Sequence, residues 1–119
     1  MNRPYTVITG SEIAPYAVEL PTINYDLYNT RPYRYFYAIS ASSPQVDFYD
    51  QLVKVDTLLR TTKVWRQSNT YPGPGEPIFV PAPNSMTEDD GVILSGGAQP
   101  GHQQVLPRDS ERDHLHRDC

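Results

Sequence analysis

The chain has 119 residues, enough for one domain of ordinary size, and is mildly acidic, with 10 Lys+Arg against 14 Asp+Glu. That balance excludes a surface built for nucleic acid, which needs a basic patch. No apolar run approaches the ~20 residues of a membrane span, so no transmembrane segment is expected.

The opening "MNRPYTVITG" lacks the apolar core of a secretory signal, and residues 1–17 show no period and are expected to be irregular. "VELPTINYDLY", Val18–Tyr28, reads as extended chain broken by a proline. "YRYFYAIS", Tyr33–Ser40, is aromatic and free of Gly and Pro, which predicts a strand. "SSPQVDFYD" connects it to "QLVKVD", Gln51–Asp56, whose alternation of apolar and polar residues predicts a half-buried strand. "TLLRT" is a turn and Thr62–Gln67 the returning strand. "YPGPG" reads as two Pro-Gly turns, and "EPIFVPA" as a strand edged by prolines. "TEDDG" is a turn whose Asp-Gly pair tolerates positive φ, with Glu88, Asp89 and Asp90 expected to serve turn chemistry and solvation. "VILS" closes the set.

Twelve prolines leave no room for a long helix, and the tyrosines and β-branched residues favour strands. The fold class expected is all-β: five short strands at regular spacing, as in a sandwich or in the four-stranded blades of a propeller. After Ser95 the composition changes. Residues 96–119 have few apolar residues and no period, and are expected to be a disordered tail that cannot offset chain entropy.

Residues 1–95 contain neither His nor Cys, which excludes a Ser-His-Asp triad, a Cys-His pair and an imidazole or thiolate metal site there. The tail holds His102, His114, His116, Asp113, Asp118 and Cys119. The reading taken for them is a solvated end with chance histidines, a tail-based metal binder being the weaker alternative. The lone Cys119 allows no intrachain disulfide, so a reducing compartment, the cytoplasm, is the default. "EDDG" lacks the alternating oxygens of a calcium loop, and "GPGEP" lacks the Lys-Ser/Thr of a phosphate loop. Glu19 and Glu76 differ from the other acids because each sits in an apolar run, where a carboxylate is costly unless paired. From composition alone the reading taken is structural, a cap or a salt bridge to Arg31, Arg34 or Arg66.

Three collinear stretches, "VELPTINYDLYNTRPYRYFYA", "LVKVDTLLRTTKVWRQ" and "EPIFVPAPNSMTEDDGVILS", resemble consecutive segments of the carotenoid oxygenase family, and within it the vertebrate beta-carotene dioxygenases of the eccentric-cleaving (9′,10′) type. The resemblance covers Val18 to Ser95. It implies a seven-bladed β-propeller with a non-haem Fe(II) on its axis, held by four histidines. Three glutamates would accept hydrogen bonds from some of those imidazoles. Glu19 and Glu76 match two of them. A buried carboxylate that accepts the free N–H of a metal-bound imidazole fixes the ring's tautomer and orientation. The implied substrates are a carotenoid and O₂, with cleavage to apocarotenals. The mitochondrion is a second possible location for the parent enzyme.

The sequence departs from the family pattern in three ways. The Pro72–Gly75 stretch before Glu76 is about two residues longer than the family spacing. After "DGVILS" the chain turns to "GGAQPGHQQ" where the family continues to a ligand-bearing Phe-His-Gly segment. The segments that would carry the other histidines are absent. The expectation is therefore one to two blades of an iron(II) oxygenase, without iron ligands of its own and inactive alone. The alternative is a non-catalytic truncated product whose open strand edges bind another chain.

Overall fold

The computed structural model describes residues 4–46, 48–66, 73–97 and 103–106. Two antiparallel sheets account for most of them. The first is a four-stranded meander of β1 (Val18–Thr22), β2 (Tyr35–Ser40), β3 (Gln51–Asp56) and β4 (Thr61–Arg66), in that spatial order. The second is β5 (Pro74–Pro81), β6 (Gly91–Gly97) and β7 (Gln103–Leu106), again in sequence order. β5 lies against β1 and β2. Each predicted strand is present within about two residues of its expected ends, the usual uncertainty of element boundaries.

The registers Ala38↔Val53 and Phe36↔Val55 put Phe36, Ala38, Val53 and Val55 on one face of the first sheet. There Ala38, Val53 and Val55 form the core, with Ala14 and Val18 packed against them. The irregular segment before β1 thus covers this face. Tyr37, Ile39, Leu52 and Lys54 share the opposite face, where the Tyr37 ring stacks on Phe79 of β5 at 5.2 Å between centroids. Layering on both sides explains why β3 is buried along its whole length instead of half-buried, as its alternation predicts.

Its polar residues are buried because each is paired. Lys54 Nζ donates to Asp89 at 2.7 Å, Asp56 takes two bonds from the Arg34 guanidinium, and Gln51 Oε1 accepts from Arg66 at 2.8 Å. Hydrogen bonding from Arg34 lowers the Asp56 carboxyl to about 2; the Leu59 and Leu58 amides help, and burial opposes them. The folded value lies below the ordinary 3.8, so the stabilisation is fully present above 3.8 and is lost as pH falls toward 2. Denaturant midpoints measured between neutral pH and that range should fall across this window. Asp56→Asn should flatten the fall; an unchanged slope would show that Asp56 does not carry it.

Three expectations need correction. Tyr25–Tyr28, read as extended, is one turn of helix (α1), with Tyr28 N donating to Asn24 O at 2.9 Å. The cause is tertiary: Asn24 is 1% exposed and its Nδ2 donates to the Glu88 carbonyl, 64 residues on. Residues 96–119 were expected to lack regular structure, but β6 runs to Gly97 and β7 pairs with it from Ile93↔Leu106 to Gly96↔Gln103. A ladder needs backbone groups, which the open edge of β6 supplies whatever the local apolar content. The tail residues His102, His114, His116, Asp113, Asp118 and Cys119 lie outside the described residues. Finally, the "TEDDG" turn places no positive φ at Asp90; Asn84 holds it, at 56°. Gly91 is needed for space: a Cβ there would fall on the Val80 carbonyl oxygen and 2.6 Å from the Phe79 ring.

Candidate functional site

Glu19 and Glu76 occupy matching places in the two sheets. Glu19 is on β1, opposite Ile39, where the β1–β2 register then slips by one residue before Thr22↔Tyr37. Leu20, the next residue, has φ of 50°, a conformation a bulky side chain rarely adopts. Glu76 is on β5, inside a second register slip between Pro74 and Pro77. Glu76 therefore lies within a β-bulge, the device that re-aims a side chain out of a regular ladder and recurs beside active sites, and Glu19 is the last paired residue before one. Backbone strain such as that at Leu20 persists only where its surroundings enforce it.

The second bulge also revises the reading of "YPGPG". Pro74 and Gly75 belong to β5, and Ser95 Oγ donates to the Gly75 carbonyl at 2.8 Å. A Cβ on Gly75 would collide with the Gly96 carbonyl, so only glycine allows β5 and β6 to approach there. The extra length before Glu76 thus reaches into the strand.

Glu19 shares the face of Ile39 and Tyr37, the face that meets β5. Both glutamates are exposed. Of the arginines considered as their partners, Arg34 binds Asp56 and Arg66 binds Gln51, while Arg31 is exposed after α1. The residue found beside Glu19 is Tyr49, in the β2–β3 connection. Burial, and then the charge and hydrogen bonding of Glu19, raise the Tyr49 hydroxyl above its usual value. Sequence reasoning missed Tyr49, since the contact joins segments 30 residues apart that only the meander brings together. Asp50 pins that connection: its carboxylate accepts from Ser42 N at 2.7 Å, and its own amide donates to Ser40 O at 3.1 Å.

The turn acids also do more than expected. Glu88 and Asp89 reach across to the first sheet, where they bind backbone amides and Lys54 respectively. Solvation was the wrong reading for these two because their partners lie 35 to 54 residues away.

No group of three or more His, Cys, Asp or Glu could hold a metal ion among the described residues. No helix among them is long and apolar enough to cross a membrane. The arrangement offers two exposed carboxylates, one in each sheet, on strands that lie against each other.

Residues 2–105 match the model of the family described as retinal pigment epithelial membrane protein (RPE65), a range that extends past Ser95 into β7. A carotenoid isomerooxygenase of Galleria mellonella is 53% identical over 90 residues, covering 72% of this chain and 17% of that protein. A human protein named carotenoid-cleaving dioxygenase, mitochondrial, is 44% identical over 78 residues, 66% of this chain and 13% of its own length. Among solved structures, a cobalt-substituted Synechocystis ACO, an apocarotenoid oxygenase, superposes with a TM-score of 0.61 and 28% identity, over 79% of this chain and 20% of that one. The chain thus spans under a fifth of the length of the moth and human relatives, and its two sheets are a part of a propeller. With sequence and fold in agreement over most of its length, the chain belongs to the RPE65 or carotenoid oxygenase family.

Proposed function

We propose that these residues form part of a carotenoid-cleaving dioxygenase dependent on iron(II), in which Glu19 and Glu76 accept hydrogen bonds from imidazoles that hold the metal. The observation that carries this reading is the pair of bulges: two exposed carboxylates, Glu76 inside one register slip and Glu19 at the edge of the other, on strands β5 and β1, which lie against each other. The described residues do not themselves fit an iron site, since 1–95 contain no imidazole or thiolate. They do fit the outer role, because a carboxylate accepts an imidazole N–H without binding the metal. Iron, when bound, supplies the O₂ chemistry that breaks a polyene double bond. This chain's own contribution is orientation. Each carboxylate would hold the N–H proton of one imidazole on a fixed nitrogen and keep the other nitrogen's lone pair directed away from the strand.

The substrate would be a carotenoid, cleaved eccentrically, and the location the cytoplasm; the mitochondrial name of the human relative supports the second location. The other reading is a non-catalytic chain that pairs with a partner through open strand edges. Incubating the purified chain with Fe(II), O₂ and β-carotene in detergent tests whether its part in the enzyme is confined to this outer role. The expected result is neither stoichiometric iron nor apocarotenals above a buffer-plus-iron control, because ligand counting leaves the metal without imidazoles. Turnover by the chain alone would overturn its assignment to an outer role.

A further inference from the structure

Glu88 belongs to the β5–β6 connection, yet most of its hydrogen bonds are made to the other sheet. Its Oε1 accepts from Arg34 N at 2.8 Å and from Tyr35 N at 3.0 Å, and its Oε2 accepts from Arg34 N at 3.1 Å. Its carbonyl accepts from the buried Asn24 Nδ2 at 3.1 Å. β1 stops pairing at Thr22↔Tyr37, so the start of β2 lies beyond the end of that ladder. The Glu88 carboxylate takes up amides at that start. One residue thus ties the hairpin that carries Glu76 both to the start of β2 and to the segment that leaves β1, five residues after Glu19.

We propose that Glu88 is a positioning residue: it locks the β5–β6 hairpin onto β1 and β2 and so fixes Glu76 relative to Glu19. Its importance for the site rests on the proposed role of those two glutamates; the lock itself does not. The chemistry requires a carboxylate. Two amides converge on it, and bonds to an ionised acceptor are about twice as strong as neutral ones. A glutamine keeps one acceptor and turns its NH₂ toward donors, and an aspartate is one methylene short.

The test uses the full chain, ¹⁵N-labelled and free of iron. In the unsubstituted protein the Arg34 and Tyr35 amides should be protected from hydrogen exchange, and residual dipolar couplings from both sheets should fit one alignment tensor. Glu88→Gln should remove that protection at both amides and lose the common tensor, while each sheet keeps its own ladder. Asp50→Asn, which weakens a bond inside the first sheet only, should keep the common tensor and so separates the lock from general loosening. A common tensor retained in Glu88→Gln overturns the proposal, as do Arg34 and Tyr35 amides that exchange freely in the unsubstituted protein. Should Glu88→Gln not fold, that exchange measurement decides alone. Because iron is absent from every arm, failure of the iron reading leaves this result standing.

Discussion

Glu76→Gln, in a protein that joins this sequence to the histidine ligands, is expected to lower iron retention or turnover by about 10–100-fold, the usual size of the loss when the group behind a metal-bound histidine is changed. The substitution keeps the shape of the side chain and the bulge that presents it, so the strand ladder should survive. What it removes is charge. An imidazole N–H directed at a carboxylate makes a charge-assisted bond that raises the basicity of the ligating nitrogen; an amide oxygen does this weakly. Glu19→Gln should act in the same direction. Metal content after dialysis against a mild chelator and initial rates at saturating iron provide the two readouts. If activity is lost but iron is retained and the loss persists at every iron concentration, Glu76 acts on substrate and not through an imidazole. If neither readout moves, the assignment of Glu76 is wrong.

Asp89→Ala is expected to cost about 3 kcal/mol of stability, a large share of what a small domain has. Lys54 is 5% exposed, and its ammonium lies 2.7 Å from the Asp89 carboxylate and 4.5 Å above the Tyr35 ring. Removing the carboxylate takes away the ion pair that offsets the burial of this ammonium. The aromatic face and its remaining contacts keep the figure at the low end of the usual ~3–5 kcal/mol. Replacing both partners, Lys54→Met with Asp89→Ala, should recover most of the loss, since an apolar side chain of similar volume needs no counter-ion. Chemical denaturation of the two variants beside the unsubstituted chain measures both steps. A double variant no better than the single would show that Asp89 stabilises the hairpin by a route other than Lys54.

The strands were legible because their signals are local. Tyr33–Ser40 and Gln51–Asp56 carry β-forming residues between clear breakers, and the structure puts strands at Tyr35–Ser40 and Gln51–Asp56. Glu19 and Glu76 stood out because a carboxylate inside an apolar run is an exception to burial rules. Their bulges did not, since a bulge is a property of two strands in register and leaves little trace in either alone. The helical turn at Tyr25–Tyr28, the clasp of Glu88 on β2 and the approach of Tyr49 to Glu19 share that cause. Each depends on a partner far along the chain, and composition at one end of a long-range contact resembles ordinary loop or tail. The full burial of β3 was hidden for a related reason: polar residues predict exposure until their partners are known.

The sequence-order meander has a consequence for how the chain acquires its structure. β1 through β4 pair only with their immediate neighbours, so each ladder can close soon after its second strand emerges during synthesis, at low cost in loop entropy. The bonds from Asn24, Arg34 and Tyr35 to Glu88 span 53 to 64 residues and cannot form until the β5–β6 connection has been made. Assembly should therefore proceed in two kinetic steps, a fast local zippering of the first sheet and a slower docking of the hairpin, with the Glu88 bonds absent from the first transition state. Substitutions at Glu88 should then speed unfolding while leaving the first refolding phase unchanged.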